Sequence, residues 1–323
     1  MQGLVTVFGG SGFIGAQVVR ALAKRGFRIR AAMRRPGRGY RLRMLGDVGQ
    51  IEVAQANVRN PASVARALDG AQAGVNLVGL LSEQGRQRFQ SVHGMGARHI
   101  AEAAAMAGVT QFVQVSALGA APDGLSKYAR SKAEGEAAVR ACFPAAVILR
   151  PSIVFGPGDG FFNRFARMAA LSPVLPLIGG GHTRFQPVFV GDVAAAVAQC
   201  VLDPATAGQT FELGGPGVYT FEALMKLILD AIGRRALLAP IPFPVASLMG
   251  MAGDLQAVLM PPILTSDQVA SLRSDNVVSA GAAGLEALGV TPTALEAILP
   301  TYLGRYRKGG QYADLVEATP VGA

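Results

Sequence analysis

The sequence has no tryptophan and few charged residues. Aromatic residues make up 7% of the 323 residues and charged residues 16%, whereas 50% are hydrophobic. With so few aromatics, a core must be built mainly from Ala, Val, Leu and Ile, and the apolar composition excludes an intrinsically disordered chain. A chain of this length can bury a substantial core, and it suits one large α/β domain with a smaller lobe attached.

Cysteine and histidine are also scarce. Cys142 and Cys200 have no metal-ligand spacing and form no disulfide framework, which is typical of a protein kept in a reducing compartment. His93, His99 and His182 show no metal-ligand spacing either, and we interpret all three as structural or surface residues. The sequence therefore predicts no metal site.

No apolar run is long enough to suggest a membrane span. The most apolar stretch, 236–264, is interrupted by prolines at both ends, and a helix between them would measure about 24 Å against about 30 Å of hydrocarbon. Such a helix would carry Ser247, Gly250 and Asp254 on one face, as either a core helix of the smaller lobe or an interfacial helix. A strand-like run begins almost at the N-terminus. We therefore expect no signal or transit peptide, and a location in the cytoplasm or facing it.

Acidic residues are outnumbered by basic ones, 21 to 30, which gives a net charge of +9. This excess is compatible with nucleic acid, an anionic membrane surface, or an acidic cofactor or partner. Basic residues crowd one short stretch, at Arg34, Arg35, Arg38, Arg41 and Arg43. No nucleic-acid-binding motif surrounds them, so we predict no nucleic-acid partner.

A glycine-rich turn follows the first apolar run, Leu4 to Phe8. Its glycines fit GxGxxG and GxxGxxG spacing together, and the helical pattern after the turn is followed by a second strand pattern. Glycines let a pyrophosphate approach the backbone, while the helix start presents unpaired N–H groups and partial positive charge. The residues expected at the phosphates are Gly9, Gly12, Phe13, Ile14 and Gly15.

Strand and helix patterns alternate through the first half of the chain. This alternation predicts an α/β fold of the Rossmann type, a doubly wound parallel sheet covered by helices on both faces. After Arg150 the sequence becomes rich in Gly and Pro. We therefore predict a dinucleotide-binding domain over residues 1–150 and a smaller mixed α/β lobe over 151–323, parts of which return to the sheet.

The position about 20 residues after the glycine turn distinguishes the two nicotinamide cofactors, because an acid there accepts the ribose 2′-hydroxyl and an arginine receives a 2′-phosphate. Arg34 and Arg35 stand here with no acid nearby. This favours NADP(H), since a guanidinium binds phosphate bidentately. A solvated basic loop is the alternative interpretation.

Tyr128 and Lys132 lie one helical turn apart on the same face of a predicted helix. A nearby ammonium favours the phenolate, so Tyr128 is a candidate to exchange a proton with a substrate carbonyl or alcohol, and Lys132 to hold the ribose hydroxyls. Ser116 ends the fifth predicted strand and would steady an oxyanion. These three are the candidate catalytic residues, and Tyr128 and Lys132 are also candidate cofactor ligands.

Further cofactor contacts are expected after the third and fourth strands, where the cofactor crosses the carboxyl edge of the sheet. Asn57, with the adjoining Val58, is placed to meet the adenine amine. Val78, Gly79 and Leu80 are expected beside the adenosine.

Taken together, these motifs resemble the short-chain dehydrogenase/reductase superfamily, in its extended and atypical branches. Ser116, Tyr128 and Lys132 fall in the expected order with the runs 9–15, 151–156 and 186–193. More narrowly, the chain is similar to the nucleotide-binding accessory subunits of respiratory complex I (NADH:ubiquinone oxidoreductase) and their bacterial relatives. The narrower similarity lies in 126–128, 149–165, 186–188, 264–268 and 275–278.

The resemblance implies that NADPH is held as a structural ligand near the junction of the peripheral and membrane arms of complex I. It adds Pro151 and Ile153 as cofactor contacts, and it implies a peripheral location on the cytoplasmic face of a bacterial inner membrane. Asn57 departs from the family, in which many members carry Asp there.

Two classes of function follow. In the first, the chain is an NADP(H)-binding accessory or assembly subunit whose apolar segment docks at the membrane arm, with an anionic lipid surface as a further candidate partner. In the second, it is an independent NAD(P)-dependent oxidoreductase, epimerase or dehydratase of the extended type, linked to quinone metabolism. The proline-framed apolar segment favours the first, and the intact set of Ser116, Tyr128 and Lys132 favours the second.

Overall fold

The computed structural model describes residues 2–256 and 264–310. The strands are β1 (Gln2–Phe8), β2 (Phe27–Met33), β3 (Ile51–Gln55), β4 (Ala73–Asn76), β5 (Gln111–Val115), β6 (Val147–Pro151), β7 (Val154–Phe155), β8 (Val174–Ile178), β9 (Arg184–Phe185), β10 (Val188–Phe189), β11 (Thr210–Leu213), β12 (Tyr219–Thr220) and β13 (Leu237–Ile241). The helices are α1 (Phe13–Lys24), α2 (Pro61–Leu68), α3 (Met95–Met106), α4 (Lys127–Cys142), α5 (Phe162–Leu171), α6 (Val190–Leu202), α7 (Phe221–Ala231), α8 (Phe243–Gln256), α9 (Ser266–Ser271) and α10 (Leu295–Leu303).

The main sheet has seven strands in the order β11-β6-β5-β4-β1-β2-β3, and every neighbouring pair is parallel. The order reverses between β1 and β4, so the loops after these strands diverge and open a crevice at the carboxyl edge of the sheet. The predicted Rossmann-type fold is confirmed.

Alternating side chains of each strand feed two cores, one on each face of the sheet. Val5 and Val7 of β1 bury against α1 and α6, whereas Phe8 belongs to the core beneath α2, α3 and α4. The same alternation places Val113 and Phe112 of β5 on opposite faces. Burial on both faces explains why these strands are largely apolar.

A third core fills a smaller lobe built from the second half of the chain. It joins α5, α7 and α10 to the short strands, with Phe162, Phe221 and Leu299 among its buried members. The pairs β8–β13, β9–β12 and β7–β10 lie in this part of the chain. Two later elements belong with the main sheet instead. The helix α6 packs against α1, and the strand β11 pairs with β6.

The apolar stretch 236–264 divides into two elements, and the helix predicted between its prolines is present as α8. Its first part, including Pro240, is strand β13, paired in parallel with β8, and the helix α8 follows. The residues 257–263 at its far end lie outside the described residues. Gly250 packs inward and Ser266 of α9 hydrogen-bonds Asp254, so the predicted small and polar face does lie together, turned toward α9. None of the helices in the described ranges is long and apolar enough to cross a membrane.

Candidate functional site

The glycine turn forms a cradle between β1 and α1. Gly9 has φ +84°, a conformation that side-chain-bearing residues rarely adopt, and its amide donates to the carbonyl of Ala32 at 3.0 Å. A Cβ on Gly15 would overlap the carbonyl oxygen of Gly9 and lie 2.8 Å from the Cα of Gly10. Across the described chain, no side chain caps the start of α1 and no acid lies in its first turn. The amides there are therefore open to an anion.

The side chains of Tyr128 and Lys132 point from α4 toward the carboxyl ends of β4 and β5. The Nζ of Lys132 donates to the carbonyl of Val115 at 3.4 Å, next to Ser116, and lies 5.8 Å from the Tyr128 ring centroid. Ser116 is 4% exposed, and its Oγ has no hydrogen-bond partner among the described residues. A buried hydroxyl without a partner is costly, so this oxygen is placed to meet a ligand.

Burial controls the protonation of this pair. Burial raises the pKa of Tyr128 to about 12, so the phenolate expected from the nearby ammonium is wrong. Burial lowers the pKa of Lys132 to about 8, and Glu136 one turn further along α4 opposes that shift. Glu136 in turn accepts two hydrogen bonds from Arg150 of β6, at 3.0 and 2.6 Å, which anchors α4 to the sheet. Tyr128 is a phenol at neutral pH and suits the role of a proton donor.

His93 joins the loop after β4 to the helix α4, a role that the sequence did not reveal. Its Nε2 accepts from the amide of Leu80 at 2.8 Å, which assigns the proton to Nδ1, 2.9 Å from the Oγ of Ser131. Ser131 donates onward to the carbonyl of Tyr128 at 2.8 Å. Burial, and then Lys132, lower the pKa of His93 to about 3, so the ring is neutral.

The irregular start of the helix that leads into α3 explains how His93 reaches this position. The structure has a π-helical turn at Gln90–Gly94 before α3 begins. A Cβ on Gly135 of α4 would overlap the carbonyl oxygen of His93, so the wide turn lies backbone to backbone against α4. The glycine at 135 was the sequence signal for this close approach.

The predicted contacts after β4 lie beside Lys132. A Cβ on Gly79 would be 3.5 Å from the Lys132 Nζ. Asn76, at the end of β4, accepts from the amide of Val78 and donates to Gln114 of β5 at 2.8 Å. This buried amide pair, which sequence reasoning missed, orients the loop that carries Val78, Gly79 and Leu80.

At the other end of the crevice, a cavity of about 280 Å³ opens after β2 and β3. Its lining residues are Arg34, Gln55, Ala56, Asn57, Asn60, Ser63 and Arg66. Arg34 and Arg35 are exposed and pair with no acid within 2–256 and 264–310. Arg66 is a second guanidinium at this cavity, one helical turn after Ser63 on α2, and the sequence analysis overlooked it.

The remaining predicted contacts occupy more peripheral positions. Val58 packs its side chain into the core against α3, where a Cβ on Gly96 would meet it at 2.9 Å. The amide of Ile153 donates to Asn276 at 3.1 Å, and Pro151 ends β6 opposite Leu213. The Oδ1 of Asn57 accepts from the amide of Arg59 at 3.2 Å, which leaves one lone pair for an adenine amine.

The arrangement fits a dinucleotide. The cradle excludes a Cβ at Gly15, the helix start offers free amides, and the buried Ser116 hydroxyl has no hydrogen-bond partner in the ranges that the structure describes. In the described part of the chain no group of His, Cys, Asp and Glu could hold a metal ion.

Comparison with known proteins agrees with this geometry. The profile of the NAD dependent epimerase/dehydratase family matches residues 5–214. "NADH dehydrogenase [ubiquinone] 1 alpha subcomplex subunit 9, mitochondrial" is 34% identical over 96% of this chain in Arabidopsis thaliana and 35% over 98% in Mus musculus, covering 80% and 84% of those proteins. A "Ceramide reductase" of Caulobacter vibrioides is 35% identical over 75% of each chain.

Among solved structures, "MoeE5 in complex with UDP-glucose and NAD" superposes with a TM-score of 0.72 over 93% of this chain and 97% of that one. Its 20% identity shows a shared fold and no more. The family match covers the glycine turn, Ser116, Tyr128 and Lys132, and the cofactor of this family is a nicotinamide dinucleotide. Along nearly its whole length the chain is related to proteins named as NADH dehydrogenase [ubiquinone] subunits. It is therefore a member of the NAD dependent epimerase/dehydratase family, within the extended short-chain dehydrogenase/reductases.

Proposed function

We propose that this protein is an NADP(H)-binding accessory or assembly subunit of respiratory complex I, in which the dinucleotide has a structural role. The observation that carries the proposal is the full-length similarity to two mitochondrial proteins named as complex I subunits, at 34% and 35% identity. Similarity over 96% and 98% of the chain includes the C-terminal lobe, which a shared Rossmann domain alone would not explain.

NADP(H) is favoured over NAD(H) by the charges after β2. Arg34 lines the cavity at this edge together with Arg66, and Arg35 follows it without an ion-pair partner among the described residues. Guanidinium groups that are not already paired bind a 2′-phosphate without first breaking an internal contact. An acid that would select a 2′-hydroxyl is absent from this cavity lining.

Different residues of the chain would bind different parts of the dinucleotide. The cradle at Gly9 to Gly15 would hold the pyrophosphate through backbone amides, and Lys132 and Tyr128 would hold the nicotinamide ribose. When bound, the dinucleotide supplies a hydride donor or acceptor beside Tyr128. Because burial keeps Tyr128 protonated, its hydroxyl would donate a hydrogen bond, or a proton if a carbonyl were reduced.

The outer face of α8 is the proposed docking surface. Its inward positions are Ala246, Gly250 and Gly253, while five large apolar side chains project outward: Val245, Leu248, Met249, Met251 and Leu255. Leu248 is 67% and Leu255 78% exposed, which inverts the usual arrangement of a surface helix.

We assign this face to the surface of an anionic bilayer next to the membrane arm, on the cytoplasmic side of a bacterial inner membrane. Within the described residues the helix has 14 residues, fewer than a bilayer span needs, and the chain carries a net charge of +9. Arg273 lies over the ring of Phe243 at the start of α8, and Arg235 is exposed just before β13. Basic groups near such a surface each add about 1 kcal/mol of attraction to anionic lipid.

Purification from native membranes tests the proposal. The protein, tagged at its own locus, is expected to comigrate with complex I on a native gel after mild solubilisation, and denaturation should release NADP(H) that mass spectrometry identifies. Migration as a separate species, or release of NAD(H) alone, would contradict the assignment. Lysine in place of Leu248 and Leu255 should release the protein from membranes without unfolding it, with Met106→Lys, at an exposed residue of α3, as the matched control.

A second function has its own support. The buried Ser116 hydroxyl, Tyr128 and Lys132 form an intact set for reduction of a carbonyl, and one relative is named a ceramide reductase. In this alternative the protein is an NADPH-dependent reductase of a lipophilic carbonyl compound. Oxidation of NADPH by the purified protein with such a substrate, lost in Tyr128→Phe, would reverse our ranking.

A further inference from the structure

The helix that carries Tyr128 and Lys132 is capped by a residue from the far end of the chain. Asp267 of α9 accepts hydrogen bonds from the amide of Lys127 at 2.5 Å and from the amide of Tyr128 at 3.1 Å, one with each carboxylate oxygen. Ser126 caps the next amide, that of Ala129, from within the same segment. A carboxylate suits this position because the open N–H groups and the helix dipole both favour negative charge. The start of α4 thus depends on the C-terminal lobe.

α9 is held in turn against α8, at the residue before Asp267. A Cβ on Gly250 would lie 2.7 Å from the backbone nitrogen and Cα of Ser266, so the helices meet backbone to backbone. The Oγ of Ser266 also donates to Asp254 of α8. α8 therefore packs directly against the residue next to Asp267.

An unbroken series of contacts therefore runs from the exposed face of α8 to the dinucleotide site. α8 contacts Ser266, Asp267 holds the amide of Tyr128, and Ser131 and His93 continue from Tyr128 to the amide of Leu80. The glycine turn lies between β1 and α1 and Arg34 directly follows β2, and neither belongs to this series among the described contacts.

We propose that Asp267 is a positioning residue for the nicotinamide half of the dinucleotide site, and that it links this half to docking at the outer face of α8. This inference rests on the proposed function, since it takes NADPH and an anionic bilayer as the two ligands. Loss of the Asp267 contacts frays the first turn of α4 and displaces Tyr128 and Lys132 together. Docking restrains α8 and α9 and so favours the capped state, and by reciprocity bound NADPH favours docking by the same factor.

Two soluble probes separate positioning from general damage to the fold. NADPH engages both halves of the site, whereas adenosine 2′,5′-bisphosphate carries the adenosine half without nicotinamide. In titration calorimetry, Asp267→Ala is expected to weaken the binding of NADPH by about tenfold, which is in the range of a lost helix cap. The affinity for adenosine 2′,5′-bisphosphate should stay unchanged. Asp267→Asn keeps one acceptor oxygen, so its NADPH affinity should lie between those of the wild type and Asp267→Ala. Asp203→Ala is the matched control, because Asp203 caps the amide of Ala205 and, among the described residues, makes no hydrogen bond to α4.

The link to α8 is measured with vesicles of equal parts phosphatidylserine and phosphatidylcholine. They should raise the NADPH affinity of the wild type by about fivefold and leave that of Asp267→Ala unchanged. The inference would be overturned if Asp267→Ala weakened the binding of both soluble probes equally. It would also be overturned if vesicles changed the NADPH affinity of the wild type and of the variant by the same factor. A wild type that binds NADPH and vesicles independently would also overturn it, whereas one that binds neither refutes the proposed function itself. Should Asp267→Ala fail to fold, Asp267→Asn carries both comparisons.

Discussion

Acidification is expected to destabilise this fold through one residue, His93. The ring is 3% exposed, its Nε2 accepts from the amide of Leu80, and Lys132 lies nearby as an additional positive charge. Protonation would place a second cation beside Lys132 and remove the acceptor for Leu80. The folded pKa is accordingly about 3, against 6.5 for an ordinary histidine.

The size and sign of the effect follow from this difference. Between these two pKa values the unfolded chain binds the proton and the folded chain does not, so stability is retained above about pH 6.5 and is lost as the pH falls. Each pH unit in the window is worth about 1.4 kcal/mol. At about pH 4.5, two units below the unfolded value, the loss from His93 alone is about 3 kcal/mol, a large part of a typical folding free energy.

Urea unfolding followed by far-ultraviolet circular dichroism measures this loss, because the chain has no tryptophan to report by fluorescence. His93→Gln is the comparison, since its amide can accept from Leu80 and donate to Ser131 without titrating. Burial raises the pKa of Asp159 and of Asp192, which acts in the opposite direction but equally in both proteins. The wild type should lose about 3 kcal/mol more than the variant between pH 7 and about 4.5. Parallel losses would refute the assignment of a neutral, buried His93.

Three further outcomes test the dinucleotide site. In calorimetry, Arg34→Ala should weaken the binding of NADPH by about tenfold and leave the binding of NADH unchanged, because one charge-assisted contact to the 2′-phosphate is lost. Equal effects on both cofactors would refute the proposed preference for NADPH. Gly15→Ala should abolish binding measured by NADPH fluorescence, since its Cβ overlaps Gly9, while Gly304→Ala, with open space around it, should bind normally. Tyr128→Phe should keep the fold and comigration with complex I, because only the proton-transfer group is removed, and loss of comigration would give the hydroxyl a structural role.

Local sequence patterns were sufficient to predict the fold class and the glycine turn of the candidate site. The glycine turn, the alternation of strands and helices, and the spacing of Tyr128 and Lys132 depend on residues close in sequence, and the fold follows from them. Arg34 and Arg35 were predicted in the same way, by their distance from the turn, and their role at the 2′-phosphate stays a prediction. The exposed face of α8 could be suspected from its composition, but only packing showed which side faces outward.

Contacts between distant residues had no such signal. The sequence alone determined that the chain is an α/β protein with a dinucleotide cradle, because short-range glycine, proline and apolar patterns fix strand, turn and helix. Only the tertiary structure decided the protonation of the site and its attachments. Burial raises the Tyr128 pKa, whereas spacing had suggested a phenolate. His93 and Asp267 both lie beside Tyr128 of α4, although they are 35 and 139 residues away from it in the sequence. Desolvation and long-range hydrogen bonds are properties of the packed chain, and no local pattern encodes them.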